Sequence, residues 1–210
     1  FENIIESAFD KTFSCEKEQY SFSVLKSGDF RDDSGLMIQL GSFSALLTVD
    51  SNFLDFQRFP ENIDLLCSAF AGGASGFPLC FENYSQEEKV QIVRRNRAAI
   101  MATNLNNIAN CSPKYFMPYA GFFTEKLDRD SYIKQHNIKN SPSDYKTICE
   151  KRGCRLVDPE IDEMLEFNGG LLVNCDAFSG PRMAPDEVDR YVEKCVSGDS
   201  TERIIREYFS

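Results

Sequence analysis

Asp50 is the first residue whose type and place suit chemistry. It follows the largely apolar run Phe43 to Val49 and is itself followed by Ser51-Asn52. A carboxylate at the end of such a strand emerges at a sheet edge, where the sites of layered α/β proteins gather. Its two oxygens suit a metal ion once imidazole or carboxylate partners stand beside it. Asp-Ser-Asn is equally ordinary turn chemistry, with Asx side chains accepting from backbone amides. The second candidate is Gly72-Gly73-Ala74-Ser75-Gly76. Three glycines let backbone amides approach an anion, and Ser75 adds a hydroxyl. No Lys-Ser or Lys-Thr follows Gly76 and the spacing is not G-x-G-x-x-G, so neither a P-loop nor a dinucleotide fingerprint is present. A tight connection is the simpler account of this loop.

Arg94, Arg95 and Arg97 form a basic cluster in an acidic chain. Guanidinium groups there could hold a phosphate or carboxylate; a solvated helix face offset by Glu87 and Glu88 is the plainer reading. His136, in Lys134-Gln135-His136-Asn137, reads as a surface residue. Asp29, Asp32 and Asp33 around Arg31, between Gly28 and Gly35, read as a charged loop.

The elements that must position these residues follow from periodicity. Tyr20 to Val24 alternates apolar and small polar residues, the period of a strand with one buried face. Leu36–Leu40, Gly41-Ser42 and Phe43–Val49 read as a hairpin. Ile63 to Phe70 is a further apolar run. Ser85 with Glu88 forms a capping box, so a helix begins there, with Val90, Val93, Ile100, Met101, Leu105 and Ile108 at helical spacing. Lys114 to Tyr119 predicts a buried strand, Asp128–Gln135 and Ser143–Lys151 short helices, and Met164 to Val173 a second hairpin. Asp186–Val196 and Thr201–Phe209 are predicted terminal helices. Strands early and helices interspersed later predict α/β layers around a mixed sheet, in a single α/β unit over residues 1–210.

Composition excludes several classes. Thirty-three Asp and Glu against 23 Lys and Arg give a formal charge of −10, which disfavours nucleic-acid partners. No stretch approaches 18 uninterrupted apolar residues, so no membrane partner is expected. The eight cysteines never approach C-x-x-C spacing, against zinc ribbons and ferredoxin-type clusters. Reduced structural thiols and a cytoplasmic setting are expected. With one histidine, His136, no mechanism that needs two imidazoles is completed by these residues. The first residues, Phe1-Glu2-Asn3-Ile4, lack a basic start and an initiator Met, from which processing or a longer parent chain is expected.

Two stretches carry more together than any single motif: Phe70-Ala71-Gly72-Gly73-Ala74-Ser75-Gly76-Phe77-Pro78, and, beyond the long helix, Tyr115-Phe116-Met117-Pro118-Tyr119-Ala120-Gly121-Phe122-Phe123 followed by Asp130-Ser131-Tyr132-Ile133-Lys134. In that order, with Val49-Asp50 upstream, the chain from about Asn3 to about Leu172 resembles the CMP-N-acetylneuraminic acid hydroxylase family in its metallo-β-lactamase-fold region. The resemblance implies a metallo-β-lactamase-like αβ/βα sandwich of which this chain is the second half only. It places Asp50 on the family's acidic metal-ligand position. Gly72, Gly73, Ser75, Gly76, Tyr119 and Gly121 become expected substrate-binding positions for a sugar- or nucleotide-sugar-like small molecule. The family's H-x-H-x-D-H motif is absent, its later histidine falls on Phe30, which cannot ligate a metal, and the paired Cys and His of its Rieske-type cluster are missing.

The resemblance therefore implies the C-terminal part of a metal-dependent enzyme, of hydrolase or oxygenase type. A divalent zinc or iron would then have an incomplete site in this chain alone. A complementary N-terminal half or an oligomer partner is expected to complete it. The alternative is a degenerate, non-catalytic binding or interaction module of the same fold.

Overall fold

The computed structural model describes residues 7–15, 19–28, 33–48, 51, 54, 61–72, 76–121, 125, 127–159 and 163–177. The architecture belongs to the compact unit Phe1–Cys175; the second unit, Asp176–Ser210, with both predicted terminal helices, lies outside the described residues except for the last residues of a strand.

Seven strands form one mixed sheet in strict sequence order. Four make an antiparallel meander: β1 (Thr12–Cys15), β2 (Tyr20–Lys26), β3 (Ser34–Leu40) and β4 (Phe43–Leu47). Three continue it in parallel: β5 (Leu65–Ala69), β6 (Tyr115–Ala120) and β7 (Arg155–Leu156). Parallel neighbours need crossovers. The β5-to-β6 crossover is α1 (Gln86–Cys111). Between β6 and β7 run α2 (Ser131–His136) and α3 (Lys146–Lys151), each entered through a 3-10 turn, at Asp128–Asp130 and Pro142–Tyr145. A separate hairpin joins β8 (Glu163–Asn168) to β9 (Leu171–Ala177). The predicted strands, long helix and second hairpin are all present; β1 and the two-residue β7 were not expected.

Local chemistry accounts for the boundaries. Leu40 pairs with Phe43 across Gly41, whose φ of +57° is the left-handed geometry a two-residue hairpin requires. Ser85 accepts from the Glu88 amide at 3.2 Å while the Glu88 carboxylate accepts from the Ser85 amide at 2.7 Å, so two otherwise orphaned donors are satisfied. α1 ends where Ser112 turns left-handed and Pro113 cannot continue it.

The period of two divides the sheet's side chains between two cores. Leu25, Met37, Leu46, Leu66 and Phe116 pack with Ile108 and Cys111 of α1 and with Tyr145, Cys149 and Cys154 around α3. Ala45, Leu65, Cys67 and Tyr115 form the other cluster, against which Phe43, Leu165, Phe167 and Leu172 pack. Phe167 meets the Tyr115 ring edge-on at 5.5 Å and lies 4.9 Å from Phe43, which fixes the β8–β9 hairpin on that cluster. The inward stripe of α1 is not the one its apolar residues suggest. Val93, Asn104, Asn107, Ile108 and Cys111 are buried, whereas Val90 is exposed. Asn104 is tolerated inside because its amide donates to the Ala69 carbonyl at 2.9 Å. No helix among the described residues is long and apolar enough to cross a membrane.

Candidate functional site

The strand directions bring the described ends of several candidate-bearing segments to one end of the sheet. β2 ends where β3 begins, β3 begins where β4 ends, and β4, β5 and β6 run parallel. The chain segments 27–33, 48–51, 70–76 and 120–125 therefore all leave or enter the sheet at the same edge, the carboxyl end of the parallel strands. Layered α/β proteins bind their ligands there. Asp50, Gly73, Ser75 and Phe30 belong to these segments but lie outside the described residues; Gly72, Gly76, Tyr119 and Gly121 are described.

A β-bulge shapes the β6 side of this edge. Ser68 pairs with Pro118 but Ala69 with Ala120, so Tyr119 is the extra residue. Such a bulge re-aims a side chain and ends regular pairing, a device common beside active sites. The ladder then closes with the Phe70 amide donating to the Ala120 carbonyl at 2.8 Å. Gly121 follows with φ +129°, and a Cβ there would come within 2.8 Å of the Ala71 Cβ and 2.9 Å of its backbone nitrogen. Only glycine lets the two loops touch so closely.

Buried polar side chains hold the end of β5. The Tyr145 hydroxyl donates to the Phe70 carbonyl at 3.0 Å and accepts from the Asn104 amide at 3.0 Å, and Asn104 also reaches the Ala69 carbonyl. Both side chains are essentially inaccessible. Burial raises the Tyr145 pKa, so the hydroxyl stays a neutral donor. Residues 76–80 are fastened from the other side by Lys89, buried on α1, whose ammonium donates to the Leu79 carbonyl at 3.2 Å. Neither Asn104 nor Tyr145 was singled out from the sequence. The available signal was an Asn falling at core spacing in a helix, a costly position unless its amide has partners.

Thr48 and Ser68 cross-link β4 and β5 through their hydroxyls at 2.8 Å, and the Ser51 amide donates to the Thr48 carbonyl at 2.8 Å, closing a turn. Asp50 lies between Thr48 and Ser51 in sequence and outside the described residues. Beside it, Ser51 Oγ is buried and makes no hydrogen bond among the described residues; the same holds for Ser27 Oγ, one residue beyond β2, and for one Glu125 carboxylate oxygen, five residues beyond β6. Buried polar atoms are nearly always satisfied, so three unsatisfied oxygens on segments at one edge need a reason.

A metal site does not assemble from the described residues. No three His, Cys, Asp or Glu side chains come together among them. His136 is exposed, stacked 4.3 Å from Tyr132, with Nδ1 2.8 Å from the Tyr132 carbonyl. Cys67 and Cys111, whose thiols burial pushes up to about 12, are packing residues rather than thiolate ligands.

Comparison with known proteins decides the family neighbourhood. The cytidine monophosphate-N-acetylneuraminic acid hydroxylase of Asterias rubens is 32% identical over 183 residues, 86% of this chain and 27% of that protein. The Danio rerio protein of the same name is 33% identical over 133 residues, 62% of this chain and 22% of its own length. The chain is similar to CMP-N-acetylneuraminic acid hydroxylases. It spans about a quarter of the length of the curated relatives it matches. A match over 86% of 210 residues necessarily includes the whole edge from Thr48 to Glu125. No family model matches the chain.

Proposed function

We propose that the carboxyl edge of β4, β5 and β6 binds a sugar- or nucleotide-sugar-like ligand, in a protein related to the CMP-N-acetylneuraminic acid hydroxylases, whose name makes a nucleotide sugar the first ligand to test. The observation that carries this reading is that buried oxygens of Ser27, Ser51 and Glu125, on segments that follow β2, β4 and β6 out of the sheet at that edge, make no hydrogen bond among the described residues. Seryl hydroxyls donate and accept, and a carboxylate accepts, which is the complement a polyhydroxylated ligand needs. The close contact of Gly121 with Ala71 and the bulge at Tyr119 would let backbone groups reach the ligand as well. In this reading the mixed sheet with helices is one half of a metallo-β-lactamase-like αβ/βα sandwich, completed by a segment or chain beyond these residues.

Asp50 is then an oxygen donor towards a zinc or iron ion whose other ligands come from elsewhere, since the described residues supply no such group. Phe30 at the family's histidine position favours the second reading, a binding module without turnover.

Isothermal titration of the chain with CMP-N-acetylneuraminic acid tests the binding claim. Saturable binding with a Kd of about 1 mM or tighter is expected. Glu125→Gln and Ser51→Ala should weaken it by about fivefold or more without lowering the melting temperature. Absence of heat at millimolar ligand would remove the edge as a binding site. Asp50→Asn, which keeps the turn and removes the charge, separates donor from cap: in a protein carrying its missing half it should lose bound metal at unchanged melting temperature. Metal content unaffected by that change leaves the binding module as the account.

A further inference from the structure

Arg97 is the least exposed of the three clustered arginines. Val93, Arg97, Ile100, Asn104 and Cys111 succeed one another at intervals of four, three, four and seven residues and so share one stripe of α1. Val93, Asn104 and Cys111 are buried on that stripe, while Arg94 and Arg95 beside it are exposed. Arg94 and Arg95 fit the solvated-face reading, whereas Arg97 is partly covered and makes specific contacts.

Its guanidinium is clasped. Arg97 Nε donates to Asn140 Oδ1 at 3.2 Å, and Asn140 Nδ2 donates back to the Arg97 carbonyl at 3.1 Å, with Asn140 itself buried. The clasp occupies the inner nitrogen and fixes the plane of the fork. Towards the outer end stands Asp144, 3.9 Å from Nη2, beyond hydrogen-bond distance and with both side chains more than a third exposed. That is a solvent-screened pair which a bound anion can replace.

Around this fork lie three cavities, and Arg97 lines all of them. One of about 90 Å³ is bounded by Gly72, Asn96, Ile100, Lys139 and Asn140; others of about 270 and 250 Å³ extend towards Arg94 and Met101, and towards Val93 and Ile138. Arg94, Arg97 and Lys139 line these cavities and no Asp or Glu does, although Asp144 stands 3.9 Å from Arg97 Nη2 and would have to give way to an anion. We propose that this furrow between α1 and residues 137–140 is an oxyanion site. It takes the phosphate or carboxylate of a small molecule on the fixed Arg97 fork, with Lys139 and the Asn96 and Asn140 amides around it, and covers an apolar flank with Val93, Ile100 and Ile138. A guanidinium already held in place loses little freedom on binding, and its planar fork matches an oxyanion in two parallel hydrogen bonds. The site lies against α1 and meets the strand edge at Ala71 and Gly72, which line its smallest cavity.

The test is titration of the whole chain, at low ionic strength, with inorganic phosphate, cytidine monophosphate and N-acetylneuraminic acid. Heat and the NMR signals of Arg97 Nε–H and the Asn140 side-chain amide are followed together. Saturable shifts of those signals are expected with at least one probe. Arg97→Lys, which keeps the charge and loses the fork, should weaken binding about tenfold. Arg94→Gln should weaken it about threefold, and Arg129→Gln, at an exposed position that lines none of the three cavities, should leave it unchanged. Phosphate and the nucleotide binding without the sugar acid identifies a phosphate ligand, and the reverse a carboxylate. No saturable shift with any probe up to about 20 mM overturns the proposal, as does an affinity that Arg97→Lys and Arg94→Gln both leave intact. Should Arg97→Lys fail to fold, Arg94→Gln and Lys139→Gln decide. Nucleotide-sugar binding that persists in these variants removes this site and leaves the strand-edge reading in place.

Discussion

Where β5 and β6 begin, both carboxylate oxygens of Asp64 are taken, whereas where those strands end, Ser51, Ser27 and Glu125 keep buried oxygens with no partner among the described residues. At the first end Asp64 accepts from the Ser44 amide at 2.8 Å, from the Ser44 hydroxyl at 3.2 Å and from the Lys114 ammonium at 2.6 Å. Gly170 of the second hairpin closes over it, in a left-handed turn whose missing Cβ leaves room for the carboxylate. Both ends bury polar groups, and only one completes their bonds. A completed network holds β4, β5 and β6 together; an incomplete one costs stability, and under the proposed function it is what a ligand would complete.

Substitutions can break this contrast, and the largest effect is expected at Asp64. Asp64→Ala removes three accepted bonds and leaves the Ser44 amide without its acceptor, so urea denaturation should show a loss of about 2–4 kcal/mol, with ligand binding at the far edge unchanged in the surviving folded protein. A smaller loss, about 1–3 kcal/mol, is expected for Gly121→Ala, because the added methyl meets backbone as well as the Ala71 side chain. That variant should also weaken any ligand bound at the edge, which Asp64→Ala should not.

Alkaline pH acts between these cases. Cys67 and Cys111 have thiols raised from 9.0 to about 12, so the folded protein keeps them protonated while the unfolded chain ionises. Their contribution is complete below pH 9 and is lost as pH rises towards 12. The melting temperature should therefore fall steadily from pH 9 to 11, and a flat profile would contradict the burial of these thiols. The smallest effect belongs to Ser51→Ala. Removing an unsatisfied buried hydroxyl should leave stability unchanged or raise it by about 1 kcal/mol. A loss of that size would show that Ser51 Oγ has a structural partner, and the contrast between the two ends would fail there.

The elements were legible in the sequence because each rests on local signals. The Ser85–Glu88 box, the Gly41 turn and the alternation in β2 are written within a few residues of one another. β1 and β7 were not, since four residues and two residues carry too little pattern, and both are defined by the neighbour they pair with. The convergence of the loop candidates on one edge was carried by the family resemblance more than by periodicity. The unsatisfied oxygens could not be read at all, because whether Glu125 is buried depends on what packs around it. Arg97 shows the same limit from the other side. Arg94 and Arg95 are exposed, and only the tertiary contact with Asn140 separates Arg97 from them.

The change from antiparallel to parallel pairing at β4–β5 also sets an order of assembly. Leu40 finds Phe43 across two residues, while Leu65 must find Tyr115 across fifty positions of chain, a closure that α1 has to span first. Loop-closure entropy grows with separation, and folding rates fall as contacts become less local. The meander from β1 to β4 is thus expected to form early in refolding. The bulge at Tyr119 and the Gly121–Ala71 contact come late, once β6 docks. If the edge binds the proposed ligand, binding in a refolding time course should lag behind formation of the meander.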